Sequence, residues 1–214
     1  MSWYGFFKVP FTQFVKHGYK ATMTGAENIP ATGPVILASN HLSYADTFLT
    51  PALIKRQVTL PVKAEAFRRD QGFKWSVIAW FLKAVGMVPL DRTGGRATLD
   101  GLGPVIEALE QGRVVGIYPE GQISINGISI ENSGAIAKFI KKAGVPVVSI
   151  LTGGSYFCNP PWALSVRKGR VESSVKLVLT KEQVAALSVG EILEEIKKSI
   201  FHDSYAWQKA AGYV

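Results

Sequence analysis

The sequence holds a single cysteine, Cys158, in 214 residues. One thiol excludes an intramolecular disulfide framework and any cysteine metal cluster. Histidine is almost as scarce: only His17, His41 and His202 occur, no two at ligand spacing, so no metal is expected and nothing calls for a resident cofactor. No uninterrupted apolar run is long enough to span a bilayer. The N-terminus lacks an apolar core followed by a small-residue cleavage site, so no signal peptide is expected. There is no Gly-x-Ser-x-Gly elbow, and Tyr156-Phe157-Cys158-Asn159-Pro160 carries no hydrolase signature. RNA-binding and helix-turn-helix signatures, internal repeats, low-complexity tracts and interdomain linkers are missing as well.

Acidic residues are few. Sixteen Asp and Glu face 24 Lys and Arg, a net charge of +8 that favours anionic partners: a lipid surface, an acidic carrier protein, phosphates or nucleic acid. At 47% hydrophobic and 19% charged, the chain is globular and long enough for one domain with a proper core. The aromatic and apolar richness turns the choice of partner towards lipid rather than nucleic acid. The expected location is the cytoplasmic face of the cell membrane, as a peripheral protein.

The segment 1–20 concentrates Trp3, Tyr4, Phe6, Phe7, Phe11 and Phe14 with Lys8, Lys16 and Lys20 between them. Rings and lysines in this mixture suit an amphipathic helix lying in a membrane interface; the other reading is a helix docked on the protein's own core. Pro10 is expected to interrupt it. Residues 20–24 form a candidate first strand, and residues 25–33 a loop. Apolar runs at 35–39 and 58–62 read as buried strands, the second ending at Lys63. Residues 73–85, with Trp75, Trp80, Phe81 and Leu82, read as a helix with a large aromatic face that is either core or a second lipid contact.

From Gly86 the pattern turns rhythmic: strand 87–90, helix 97–111 stopped by Gly112, strand 113–118, helix 134–143 stopped by Gly144, strand 145–151 and a late strand at 175–179. Thr180 with Gln183 and Ser188 with Glu191 are capping boxes, the second opening an amphipathic helix to about residue 201. Helix, glycine, strand in repetition predicts a single α/β domain over residues 21–214, with a mostly parallel twisted sheet flanked by helices.

Between the strand at 35–39 and a helix at 47–54 stands Ser39-Asn40-His41-Leu42-Ser43-Tyr44-Ala45-Asp46. Strand-to-helix turns of this kind are where open α/β sheets place ligands. On a continuous helix His41 and Asp46 would sit about 140° apart and never meet. Ser43 and Asp46, however, have the spacing of a capping box, with aspartate in the glutamate position. A helix starting at Ser43 would leave His41 in the loop before it, free to fold onto the carboxylate. That pair would make a general base aimed at a hydroxyl or thiol. The other reading is a plain capping box with a bystander histidine.

Four stretches in order resemble the glycerolipid acyltransferase family, whose bacterial members acylate lysophosphatidate. They are Asn40-His41-x-x-x-x-Asp46, Gly86-Met87-Val88-Pro89-Leu90-Asp91-Arg92, Tyr118-Pro119-Glu120-Gly121 and Val145-Pro146-Val147-Val148. The resemblance covers roughly residues 25 to 155 and implies a set of roles. His41 takes the proton of an acceptor hydroxyl and Asp46 orients it, with direct attack on an acyl thioester. Lys63 lies near the developing oxyanion, and Arg92 holds the acceptor phosphate. Glu120 and Gly121 shape the acceptor site with backbone N–H groups open to phosphate, and Ser124 keeps a hydroxyl nearby. The implied partners are a membrane phospholipid surface, a lysophospholipid acceptor, and acyl carrier protein or coenzyme A as donor. One departure stands out: Gln122-Ile123 follow Gly121 where the family usually has threonine and arginine.

Overall fold

The computed structural model describes residues 3–68, 70, 72–91, 101–129, 134–163 and 167–213. The side chains of Trp3, Tyr4, Phe6, Phe7 and His202 are outside that description, as are Arg69, Arg92 and Arg96.

In chain order the elements are α1 (Trp3–Gly18), β1 (Thr22–Thr24), β2 (Val35–Ser39), α2 (Asp46–Leu53), β3 (Val58–Thr59), β4 (Pro61–Lys63), α3 (Phe73–Ala84), β5 (Val88–Leu90), α4 (Gly103–Glu110) and β6 (Val114–Ile117). Then follow α5 (Ala135–Ala143), β7 (Val147–Gly153), α6 (Ser155–Cys158), β8 (Glu172–Leu179), α7 (Lys181–Ala186), α8 (Val189–Ile196), a π-helical turn (Lys197–His202) and α9 (Asp203–Ala210). The main sheet has the order β1-β8-β7-β2-β6-β3, parallel throughout except for β7 against β8. After Leu60 the chain leaves this sheet, and β4 pairs with β5 in parallel as a small second sheet. The single α/β domain with a mostly parallel sheet is as the sequence predicts.

The central strands are buried on both faces, as parallel strands under helices must be. Along β2, Ile36 and Ala38 join the core under α4, α5 and α8, while Val35 and Leu37 join the core on the opposite face with Ile54, Val58 and Leu60. Gly116 of β6 is needed there, because a Cβ at that position would lie 2.6 Å from Leu60 Cδ2. Gly112 and Gly144 end their helices with φ of +76° and +61°, left-handed positions that disfavour any other residue. Both expected capping boxes are formed.

Three expectations need correction. The run at 58–62, expected as one strand, breaks at Leu60 into β3 and β4 of different sheets. α1 runs unbroken through Pro10. Proline removes one N–H and crowds the carbonyl four residues back, and on the exposed side of a helix water can satisfy that carbonyl. The third correction is at the C-terminus, where the helix does not stop near 201 but passes through the π-helical turn into α9. Ile192, Ile196, Ile200, Ser204 and Gln208, spaced by four, are all buried. A strict four-residue row drifts around an α-helix, and the wider π turn brings it back to the sheet.

α1 packs antiparallel on α2. Lys8 Nζ donates to the carbonyls of Ile54, Lys55 (3.1 Å) and Arg56 (3.2 Å) at the end of α2, and Thr12 donates to Ala52 O at 2.8 Å. Desolvation lowers the Lys8 pKa to about 8. Val15 is buried, whereas Val9, Phe11 and Phe14 stay exposed. Among the described side chains, docking therefore uses one side of α1. Among the described residues no helix is long and apolar enough to cross a membrane.

Candidate active site

Parallel strands end on one edge, and the chain gathers its chemistry there. β2 delivers Asn40 and His41 and β6 delivers Tyr118 and Glu120 to that edge; Lys63 ends β4 in the separate small sheet, in register with Leu90 of β5. Arg92 follows Leu90 by two residues and lies outside the described residues.

His41 and Asp46 meet. Nδ1 of His41 lies 3.4 Å from Oδ2 of Asp46, and the carboxylate is fully buried. Oδ2 also accepts the N–H groups of Leu42 at 2.7 Å and Ser43 at 2.8 Å. Two backbone donors and the start of α2 compensate the buried negative charge. With Nδ1 facing the carboxylate, Nε2 is the basic nitrogen, and it makes no hydrogen bond among the described residues. The 3.4 Å spacing is long, as it often is in dyads that tighten only around substrate.

The expected capping box is half formed. Asp46 reaches back to the Ser43 N–H, but α2 begins at Asp46 and not at Ser43. The Ser43 hydroxyl does not cap the helix: it donates to Asn159 O at 2.7 Å and accepts the Ala45 N–H at 3.0 Å. That detour ties the His41 loop to the segment after β7.

The remaining expected residues divide. Glu120 is buried and turns inward, its Oε1 accepting the His41 N–H at 3.0 Å and the Ser129 hydroxyl at 2.5 Å. It shapes the site by holding the histidine's backbone. The Gly121 N–H, expected to face a phosphate, closes a turn on Tyr118 O at 3.0 Å, with φ at +68°. Ser124 is fully buried, donates its hydroxyl to Asn126 Oδ1 at 3.0 Å and gives its N–H to His41 O at 2.8 Å. It supports the histidine loop, and its hydroxyl proton is committed to Asn126. Lys63 is exposed, and no hydrogen bond or ion pair of its side chain is made among the described residues. Gln122 is exposed and Ile123 half-buried.

Several supports were not foreseen. The Tyr118 ring stacks on the His41 imidazole, with centroids 3.9 Å apart and planes 16° apart. Burial, with the Asp46 carboxylate adding to it, pushes the Tyr118 phenol well above its ordinary range, so it stays neutral. Asn40 clamps the backbone of Thr152, accepting its N–H at 2.7 Å and donating to its carbonyl at 2.8 Å, and also donates to Ser204 Oγ at 3.1 Å. Gln208 Nε2 reaches the same hydroxyl at 3.2 Å. The signal for Asn40 was a polar residue directly following the buried strand β2. For Ser204 and Gln208 it was the row of every fourth residue. Cys158 is buried, and burial with the nearby Asp46 carboxylate raises its thiol pKa, the opposite of what a nucleophilic cysteine needs.

Asn40→Ala should strand a buried N–H and a buried carbonyl of Thr152. The expected loss is about 2–3 kcal/mol of stability, read as a lowered denaturation midpoint. Gln208→Leu, which removes one neutral bond, should cost about 1 kcal/mol.

A profile of the family described as Acyltransferase matches residues 20–153. A chloroplastic 1-acyl-sn-glycerol-3-phosphate acyltransferase of Brassica napus is 31% identical over 139 residues, which are 64% of this chain and 38% of that protein. A chloroplastic enzyme of the same name from Arabidopsis thaliana is 32% identical over 140 residues, 64% of this chain and 37% of its own. The chain thus spans under two fifths of these plant relatives. A 1-acyl-sn-glycerol-3-phosphate acyltransferase of Bacillus subtilis is 25% identical over 181 residues, covering 81% of this chain and 86% of its own. Among solved structures, the 1-acyl-sn-glycerophosphate acyltransferase PlsC from Thermotoga maritima superposes with a TM-score of 0.76 at 19% identity, over 95% of this chain and 80% of that one. At that identity the superposition speaks for the fold alone.

Proposed function

The chain belongs to the acyltransferase family, and on that premise we propose that it moves a fatty acyl group from an acyl thioester to the free hydroxyl of lysophosphatidate, giving phosphatidate. The observation that carries this reading is the buried His41–Asp46 pair at the carboxyl edge of the sheet, with Nε2 left for substrate. The acceptor hydroxyl gives its proton to Nε2 as its oxygen bonds to the thioester carbonyl carbon. The resulting imidazolium is held by the Asp46 carboxylate. The tetrahedral intermediate collapses with cleavage of the C–S bond, and the departing thiolate takes the proton back from His41. Ester and thiol are the products, with no acyl-enzyme.

Lys63 supplies a positive charge for the oxyanion, and Arg92 pairs with the acceptor phosphate through its two-pronged guanidinium. Lysophosphatidate as acceptor is supported by the names of the relatives above. The donor is coenzyme A or acyl carrier protein, the latter suited by the net charge of +8. A second acceptor reading, the same chemistry on another lysolipid, is favoured by Gln122-Ile123, since Ile123 offers a phosphate nothing.

The test is turnover of the purified protein over a panel of lysolipids with both donors. Lysophosphatidate should be the best acceptor; a better rate on a choline- or ethanolamine-masked lysolipid would replace it. Arg92→Ala should lower kcat/KM for lysophosphatidate about ten- to hundredfold, with lysine rescuing only in part. Equal losses on free and masked phosphates would assign Arg92 to the fold or the donor instead.

A further inference from the structure

α3 has its apolar side turned the wrong way for a soluble protein. At about 100° per residue its apolar residues fall on two opposite arcs. Ile78, Leu82, Trp75 and Ala79 form one arc, with Ala79 fully buried, Ile78 and Leu82 half-buried and Trp75 still 37% exposed. Phe73, Val77, Trp80 and Phe81 form the other, within about 100°. That second arc faces outward: Phe73 is 86% exposed, Val77 47%, Trp80 48% and Phe81 41%. Lys74 falls beside Phe81 at one border of the outward arc, and Lys83 lies beyond Trp80 at the other; both are exposed.

We infer that α3 is a membrane-inserting helix that lies in the plane of an anionic phospholipid surface. An outward apolar arc bordered by lysines suits a lipid interface, where rings enter the acyl boundary while ammonium groups reach back to headgroup phosphates. Twelve residues are too short to cross a bilayer, so the helix lies along it. A second copy of the chain fits less well. Facing α3 helices would crowd four lysines, two from each copy, around one small apolar contact, and α3 carries no acidic residue to offset them.

The position has a consequence for chemistry. α3 joins β4, which ends at Lys63, to β5, which leads to Arg92. Seating α3 in the bilayer would bring the exposed Lys63 at the end of β4 towards the headgroup level, where a lysophospholipid presents its phosphate. In that use α3 insertion rests on the proposed function, but its measurement needs neither donor nor acceptor.

The experiment uses the full chain and vesicles of phosphatidylcholine with a minor share of phosphatidylglycerol. An environment-sensitive fluorophore attached through Val77→Cys should shift to the blue on vesicles and be quenched by acyl-chain quenchers; Cys158 is buried and out of reach of the label. Phe73→Gln combined with Trp80→Gln should weaken vesicle binding about ten- to hundredfold. Lys74→Gln and Lys83→Gln should each lower the preference for phosphatidylglycerol about fivefold. All four substitutions are on exposed positions, and an unchanged melting curve checks the fold. A probe that stays in water on vesicle-bound protein overturns the inference. So does wild-type binding by the Phe73/Trp80 variant alongside weak binding by Phe14→Gln, which would leave insertion to α1 alone. A blue shift without vesicles, rising with concentration as the mass doubles, would make α3 a contact between copies and overturn it as well. Insertion without any acyl transfer would uphold α3 and remove the proposed function.

Discussion

His41→Ala is expected to lower acyl transfer by about 10²–10⁴-fold, the usual contribution of a positioned general base. The fold should survive. The imidazole makes one long contact to Asp46 and stacks on Tyr118, while the structural bonds of this residue, to Glu120 and from Ser124, are made by its backbone. Alanine keeps both. The loss should therefore fall on kcat, with the melting temperature and vesicle binding close to wild type. Near-normal turnover would refute the general-base mechanism and favour a lipid-binding protein without catalysis.

Asp46→Asn should cost a comparable factor, about 10²–10⁴, for a different physical reason. All three hydrogen bonds of the Asp46 carboxylate converge on Oδ2, and Oδ1 makes none among the described residues. An asparagine can place its carbonyl oxygen at Oδ2 and keep the N–H groups of Leu42 and Ser43 satisfied. Geometry is then retained while the negative charge facing the imidazolium is gone. Asp46→Ala removes both, stranding two buried N–H groups at about 1–3 kcal/mol each. The pair of variants separates charge from scaffolding: asparagine should lower kcat with modest loss of stability, alanine should lower both. If asparagine turns over like wild type, the carboxylate serves only to hold the loop.

Much of the fold was written locally. Strand β2 over Val35–Ser39, the glycine stops at Gly112 and Gly144, and both capping boxes depend on residues within about four positions of each other, the range over which periodicity and capping act. The meeting of His41 and Asp46 was legible for the same reason, since a strand-to-helix turn is a local event. The sequence by itself also determined that residues 73–85 would read as a helix with a large aromatic face, and the helix formed spans Phe73–Ala84. It could not say which of two apolar arcs would face the core, because both satisfy the same period and only the packed sheet chooses between them.

Tertiary structure decided the rest through partners far along the chain. Ser43 gives its hydroxyl to a carbonyl 116 residues away, and so leaves the cap it was expected to form. Glu120 turns to a backbone N–H 79 residues back, and Asn40 to a strand 112 residues on and a helix 164 residues on. A buried polar atom must find a partner, since leaving it without one costs about 1–3 kcal/mol. The identity of that partner is a property of the assembled core. Residue types and spacing therefore marked where the candidate site stands, and burial settled which of those side chains are exposed and which hold the others in place.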